Sequence, residues 1–206
     1  MATRALPTPQ TDQPPPGVHD RILAAATELF YRDGINATGV DRLAGRAGVS
    51  KRTLYKHFST KTAVVEDYLR TLGSHLDHRT VDNADPRERL LSIFDVSSDG
   101  RVRGCPFHNA AVEAADAMPG VQAIVNDFKR QSIVALEELA TAAGVTRPNR
   151  LARQLAVLFE GAMALSTSLN DPTPVEDARA AAEALIDAAM PARRKVTRTT
   201  KTRIAE

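Results

Sequence analysis

The stretch Ala37-Thr38-Gly39-Val40-Asp41-Arg42-Leu43-Ala44-Gly45-Arg46-Ala47-Gly48-Val49-Ser50-Lys51-Arg52-Thr53-Leu54-Tyr55-Lys56-His57-Phe58 reads as two short helices around a tight turn. Val40, Leu43, Ala44 and Ala47 fall on one stripe of the first helix. Ala44 and Ala47 are small, which lets a second helix cross closely. Gly48 stands where the turn needs a backbone conformation that other residues adopt only at a cost. Val49 follows as a plug into the core, and Ser50 has the residue type that caps a helix. Leu54 and Phe58 turn inward from the second helix. Thr38, three residues before Asp41, predicts a capping-box-like start for the first helix. Two short helices joined by a glycine-containing turn make a helix-turn-helix.

Charge sharpens that reading. The outward face of the second helix carries Lys51, Arg52, Thr53, Tyr55, Lys56 and His57, all donors and none a carboxylate. Between Val40 and Lys61 the chain has six Lys or Arg against one Asp, whereas residues 62–191 hold 12 Lys or Arg against 19 Asp or Glu. The net charge of +2 conceals this asymmetry. A basic block on an acidic body is the footprint of a polyanion-binding surface. A solvated basic helix is the bland alternative, but the order of residues inside the block favours a helix sized and charged for the DNA major groove.

Working outward, the chain stays helical. Val18 to Asp33 forms an amphipathic helix with Ile22, Leu23, Ala26, Leu29 and Phe30 on one face, stopped by Gly34. A fourth helix, capped by Ser59 or Thr60, is expected from about Lys61 to Arg79. Beyond it, helices are expected at about 85–96, from Pro106 to about Asp116, from Pro119 to about Ala143, from about Asn149 to Leu169, and from about Val175 to Met190. No period-2 strand pattern and no internal repeat is present. The fold class is therefore all-α, with about nine helices: a disordered Pro-rich segment at 1–17, the helix-turn-helix domain at 18–62, a second helical domain at 63–191, and a basic disordered tail at 192–206.

Composition narrows the function classes. Of 206 residues 43% are hydrophobic and 25% charged, as in soluble globular proteins, and aromatics make up only 4%, so the core is predicted to be mainly aliphatic. A single cysteine, Cys105, excludes an internal disulfide framework and a Cys-rich zinc module. No apolar run approaches the roughly 20 residues of a membrane span, and no apolar leader region is seen, so the cytoplasm is the expected compartment. The pairs Cys105/His108 and His75/His78 have helical spacing, but two ligands are too few for a structural zinc site, and no metal or cofactor is expected. There is no nucleophile elbow, P-loop or dinucleotide fingerprint, so an enzyme is not expected.

The quoted stretch closely resembles the DNA-binding signature of the TetR family of transcriptional repressors, over about residues 18–65. The remaining helices resemble that family's ligand and dimer domain in layout. The segment Arg103-Gly104-Cys105-Pro106-Phe107-His108-Asn109-Ala110-Ala111-Val112-Glu113 looks like one recurrent in a subset of the family. The resemblance implies a homodimer that binds a palindromic operator in double-stranded DNA and leaves it when a small-molecule effector enters the C-terminal domain. Carried over by position, it implies phosphate contacts from Thr38, Lys51, Tyr55, His57 and Lys61. Arg42, Arg52, Thr53 and Lys56 are then the candidates for base edges or nearby backbone, with guanine suiting the arginines and a thymine methyl suiting Thr53. Gly39 departs from the residues frequent at its position and weakens any cap there.

For the effector, Phe94, Phe107, Phe128, Phe159 and Met163 are candidate cavity-lining residues, with His108, Asn109 and Gln131 as polar partners; ordinary core packing is the alternative for each. Cys105 stands at a helix start, where a thiol is favoured as a nucleophile. A thiol-based, electrophile-sensing repressor is therefore a rival reading, set against a simple buried cysteine. A second rival is a helical interaction protein whose helix-turn-helix no longer binds DNA. The small residues of Glu160-Gly161-Ala162-Met163-Ala164 and of 178–189 suit close helix packing, which the family layout assigns to a dimeric four-helix bundle.

Overall fold

The computed structural model describes residues 16–77, 85–96, 103–114 and 117–190. The two expected tails, and His78, lie essentially outside them. The described residues are helical and turn, without a strand: α1 (Val18–Asp33), α2 (Val40–Arg46), α3 (Lys51–His57), α4 (Lys61–Asp77), α5 (Pro86–Leu91), α6 (Pro106–Ala114), α7 (Pro119–Ala142), α8 (Pro148–Leu169) and α9 (Thr173–Ala189). A 3-10 turn, Ser92–Phe94, extends α5. The single helix expected at 85–96 is thus a six-residue α-helix followed by that turn.

Local chemistry accounts for the N-terminal boundaries. Gly34, at φ +100°, closes α1 by donating its N–H to Phe30. Gly48, at φ +64°, is the pivot between α2 and α3, a conformation that costs L-residues roughly 1–2 kcal/mol. Ser50 Oγ accepts the Thr53 N–H at 3.0 Å and caps α3, and Thr60 Oγ1 caps α4 through the Ala63 N–H at 3.1 Å. The capping box predicted for α2 is not formed. Its N-cap is Gly39, which has no side chain to offer, and Thr38 turns inward instead.

Packing joins these elements into one core. Ile22, Ala26, Leu29, Leu43, Ala44, Leu54, Phe58, Val64 and Leu69 are buried where α1 to α4 meet. The α4 helix runs on to pack against α7, with Gly73 lying against the stacked rings of Phe107 and Phe128. The α8 and α9 helices form the most extensively packed pair, burying Leu151, Leu155, Ala178, Ala182 and Ile186. Arg87 to Asp187 and Arg179 to Asp95 tie α9 to α5 and its 3-10 extension. No described helix is long and apolar enough to cross a membrane.

A candidate nucleic-acid interface and the cleft behind it

The exposed surface of α3 starts from its inner face. With Leu54 fully buried and Phe58 nearly so, Lys51, Arg52, Tyr55, Lys56 and His57 are exposed. Tyr55 keeps 44% of its area in solvent, as its place after Leu54 predicts. A helix about 10–12 Å across with its side chains fits a major groove about 12 Å wide. Thr53 is half-buried, and its hydroxyl is 2.8 Å from Ser50 Oγ. That hydroxyl lies against the cap, while the methyl remains available for an apolar contact.

Thr38 does not belong with this surface. It is completely buried, and its hydroxyl donates to the Gly34 carbonyl at 2.7 Å and weakly to Leu29 at 3.4 Å. It braces the α1–α2 turn, and its side chain is sealed away from any duplex. The positional carry-over fails there because it says where a residue sits along the chain and nothing of where its hydroxyl turns.

Several of the basic side chains are already paired. Arg42 meets Asp33 at 2.7 Å, Lys51 meets Asp41 at 3.1 Å, and Arg46 is paired with Glu28. Asp33 is held below the usual carboxylate range by Arg32 first and then Arg42. Glu28 is held low mainly by the Arg46 hydrogen bond. Among the described residues, no ion pair is formed by Arg52 or Lys56. Lys61 is half-buried at the start of α4; burial lowers its pKa, and the nearby Glu113 opposes the shift.

Sequence reading missed the clamps that hold this unit. His19 of α1 stacks on Phe58 at 5.0 Å, and its Nε2 is 2.9 Å from Asp67 of α4. One imidazole thus joins α1, the end of α3, and α4. On the far side, the Asn36 N–H donates to Glu113 Oε2 at 2.7 Å, and Asn36 Nδ2 donates to the Glu113 carbonyl at 3.0 Å. Arg103 Nε donates to the Tyr31 carbonyl at 3.0 Å. These partners are 39 to 77 residues apart in the chain, and no local sequence pattern announces them.

The residues proposed for an effector site separate into three groups. Phe94 and Phe159 pack edge to face at 5.8 Å. Phe107 and Phe128 stack at 3.6 Å and close on each other. Cys105, His108, Asn109 and Met163 line a cleft of about 190 Å³ between α6 and α8, together with Glu160 and Thr167. Gln131 is exposed and does not line that cleft. Cys105 is buried, as a small apolar residue would be, but it has a partner that the sequence did not reveal. Lys129 of α7 donates to Cys105 Sγ at 3.1 Å and is also paired with Glu160 of α8. Among the described residues no cluster of three His, Cys, Asp or Glu side chains suits a metal ion.

Residues 22–68 match the family model described as "Bacterial regulatory proteins, tetR family". The chain is 48% identical over 89 residues to FasR, an HTH-type transcriptional activator of Mycolicibacterium smegmatis, covering 38% of each protein. It is 34% identical over 93 residues to KstR2, an HTH-type transcriptional repressor of the same organism, covering 43% of this chain and 45% of the relative. The chain therefore spans less than half the length of either curated relative. A crystal structure of a TetR-family transcriptional regulator from Streptomyces coelicolor superimposes with a TM-score of 0.76 at 28% identity, over 84% of this chain and 96% of that one.

Proposed function

This chain belongs to the TetR family of bacterial transcriptional regulators, and from that premise we propose that it is a dimeric, effector-released repressor binding a palindromic operator. The observation that carries the reading is the α3 surface: a capped two-turn helix, locked by Leu54 and Phe58, exposing Lys51, Arg52, Tyr55, Lys56 and His57 together. In this reading Arg52 and Lys56 enter the groove without first breaking an ion pair. Arg42 and Lys51 exchange Asp33 and Asp41 for phosphate or base, so part of their binding energy offsets the lost pairs. Tyr55, His57 and Lys61 contact phosphates, and the Thr53 methyl packs on a base.

Two such helices must lie about 34–36 Å apart to enter successive grooves on one face of the duplex. Val157, Leu165 and Leu169 are exposed apolar residues on α8, and they suit the helix as part of the subunit interface. Pairing two half-sites raises affinity and specificity beyond what one short helix supplies. An effector in the C-terminal domain shifts the population away from the DNA-competent spacing only by its differential affinity for the two states. The α4 helix, which begins beside the recognition unit and packs on α7, is one lever; the Glu113–Asn36 clamp makes α6 another. As a soluble regulator the protein would act in the cytoplasm, with no enzymatic step required.

A gel shift with duplex from the region upstream of its own gene tests the reading. Retarded complex that competes with specific but not random duplex is expected, and sedimentation should show a dimer. No shift with any duplex at low salt would overturn it in favour of an interaction protein with an inactive helix-turn-helix. A reporter fused to the bound region assigns the sign, with repression expected.

A further inference from the structure

We propose that the groove between α1 and α2 seats a backbone phosphate of the duplex, with Arg21 and Arg46 as its donors. The site deepens the DNA-binding reading above and rests on it.

The groove supplies the first support. Ala24, Ala25 and Ala47 line it together with Arg21, Glu28 and Arg46, and it encloses about 210 Å³. The three alanines carry nothing beyond Cβ, so a phosphate can come close enough for the longer side chains to reach it. Arginine suits that ligand: its planar fork of donors matches phosphate oxygens and sheds water more easily than an ammonium.

A second observation is placement. In a helix-turn-helix the first helix crosses the DNA backbone, and the N-terminal residues of the second contact base edges. The turn between them therefore lies at the lip of the groove, beside phosphates. Arg21, in the first turns of α1, reaches that turn: its Nη1 donates to the Gly48 carbonyl at 3.5 Å. Gly48 and Ser50 are exposed, and the exposed Lys51 and Arg52 follow directly. Arg46 stands on the last turn of α2, the helix that crosses the backbone.

The third support is the state of the donors. Among the described residues the long contact to Gly48 is the one hydrogen bond of the Arg21 side chain, and no carboxylate pairs with it. The carboxylates of α1 are engaged elsewhere. Asp20 lies beside His19, Asp33 is held by Arg32 and Arg42, and Glu28 by Arg46 and Arg32. Arg21 thus meets a phosphate without breaking an ion pair, whereas Arg46 must exchange Glu28 for it. Arg21 is the main donor and Arg46 the second. The contact is blind to sequence, and it comes from a helix that carries none of the DNA contacts assigned above.

Anisotropy titrations of the purified full-length chain test the site, on the upstream duplex and on a random duplex of equal length. Each phosphate contact adds about 0.9 to the log–log salt slope, so between about 50 and 200 mM salt wild type should lose about three- to fourfold more affinity than R21M. The R21M loss should be equal on both duplexes, and R21K should keep the wild-type slope. R21Q, which retains a donor for the Gly48 carbonyl, should lose the slope as R21M does; it also carries the measurement if R21M melts early. Removing the competitor of Arg46 in E28Q should tighten both duplexes by up to about fivefold, the ceiling for an exposed ion pair, and E28Q/R46M should lose that gain.

Unchanged slopes in R21M and R21Q would overturn the Arg21 contact. A loss confined to the upstream duplex would overturn its phosphate role, and R21K failing along with R21M would reduce Arg21 to a brace for the turn. No tightening in E28Q would remove Arg46 from the site. Each of these leaves DNA binding by wild type intact, whereas a wild-type chain that binds no duplex overturns the DNA-binding reading and this site with it.

Discussion

The recognition unit and the cleft-bearing body are built from the same kind of helix, yet they are specified differently. In α1 to α3 the helix boundaries and the hidden face have their causes within a few residues. Gly34 stops α1, Gly48 turns the chain, Ser50 caps α3, and Leu54 and Phe58 set which face is hidden. In the body the decisive contacts span long stretches of chain. Lys129 reaches Cys105 across 24 residues and Glu160 across 31, and Asn36 reaches Glu113 across 77. A surface that must be presented to an external duplex can be encoded locally. A site that must form between helices cannot.

Paired substitutions test that contrast. The largest effect is expected from Leu54→Ala and Leu155→Ala, both fully buried, each destabilising by about 2–5 kcal/mol. Denaturant melts should show similar losses, while DNA affinity under folded conditions should fall far more for Leu54→Ala. Equal effects on DNA would mean that the body orients α3 as strongly as its own core does. Next, Arg52→Ala should relax sequence preference by about 1–3 kcal/mol, the value of one good bidentate base contact. Lys61→Ala should weaken all duplexes alike and reduce the salt slope by about one. A sequence-selective loss at Lys61 would move it out of the phosphate group.

A smaller effect is expected at the two turns. Gly48 and Gly144 both have positive φ, and a methyl group added at either would meet no backbone atom, so Gly→Ala adds strain without collision. Each should cost about 1–2 kcal/mol, seen as a lower melting temperature, with only Gly48→Ala shifting operator affinity. The smallest concerns acid. Asp33 and Glu28 in the recognition unit, and Asp171 in the body, have lowered pKa values, held down by Arg32, Arg46 and the Thr173 N–H respectively. Their contribution is complete above the ordinary carboxylate range and is lost as pH falls through the lowered folded values. Asp33→Asn with Glu28→Gln should flatten that part of the stability profile, as should Asp171→Asn. Solvent reaches all three half-buried groups, so the change is small, and a steep acid transition surviving all three substitutions would place its origin elsewhere.

How far the site is legible in the sequence follows the same division. The exposure of Arg52, Tyr55, Lys56 and His57 follows from the period of one short helix once Leu54 is placed inside. Thr38 misleads because a hydroxyl beside a helix start has two uses, capping forward or bracing backward, and its burial against Leu29 and Gly34 selects the second. Cys105 stands out by its position, but Lys129 does not, since one lysine in an acidic body carries no mark until helices α6, α7 and α8 pack. His19 escapes notice for a similar reason: its partners Phe58 and Asp67 come from two other elements.

By itself the chain of residue types determined that the chain is helical, the stops at Gly34 and Gly48, the Ser50 cap, the inner stripes of α1 to α3, and the sign of the surface between Lys51 and His57. Those depend on backbone dihedrals and side-chain spacing within one or two turns. Tertiary packing alone decided which carboxylates hold Arg42, Arg46 and Lys51, which cation faces the Cys105 sulfur, and where a cleft remains open. Pair energies depend on distances between atoms that only the assembled helices bring together.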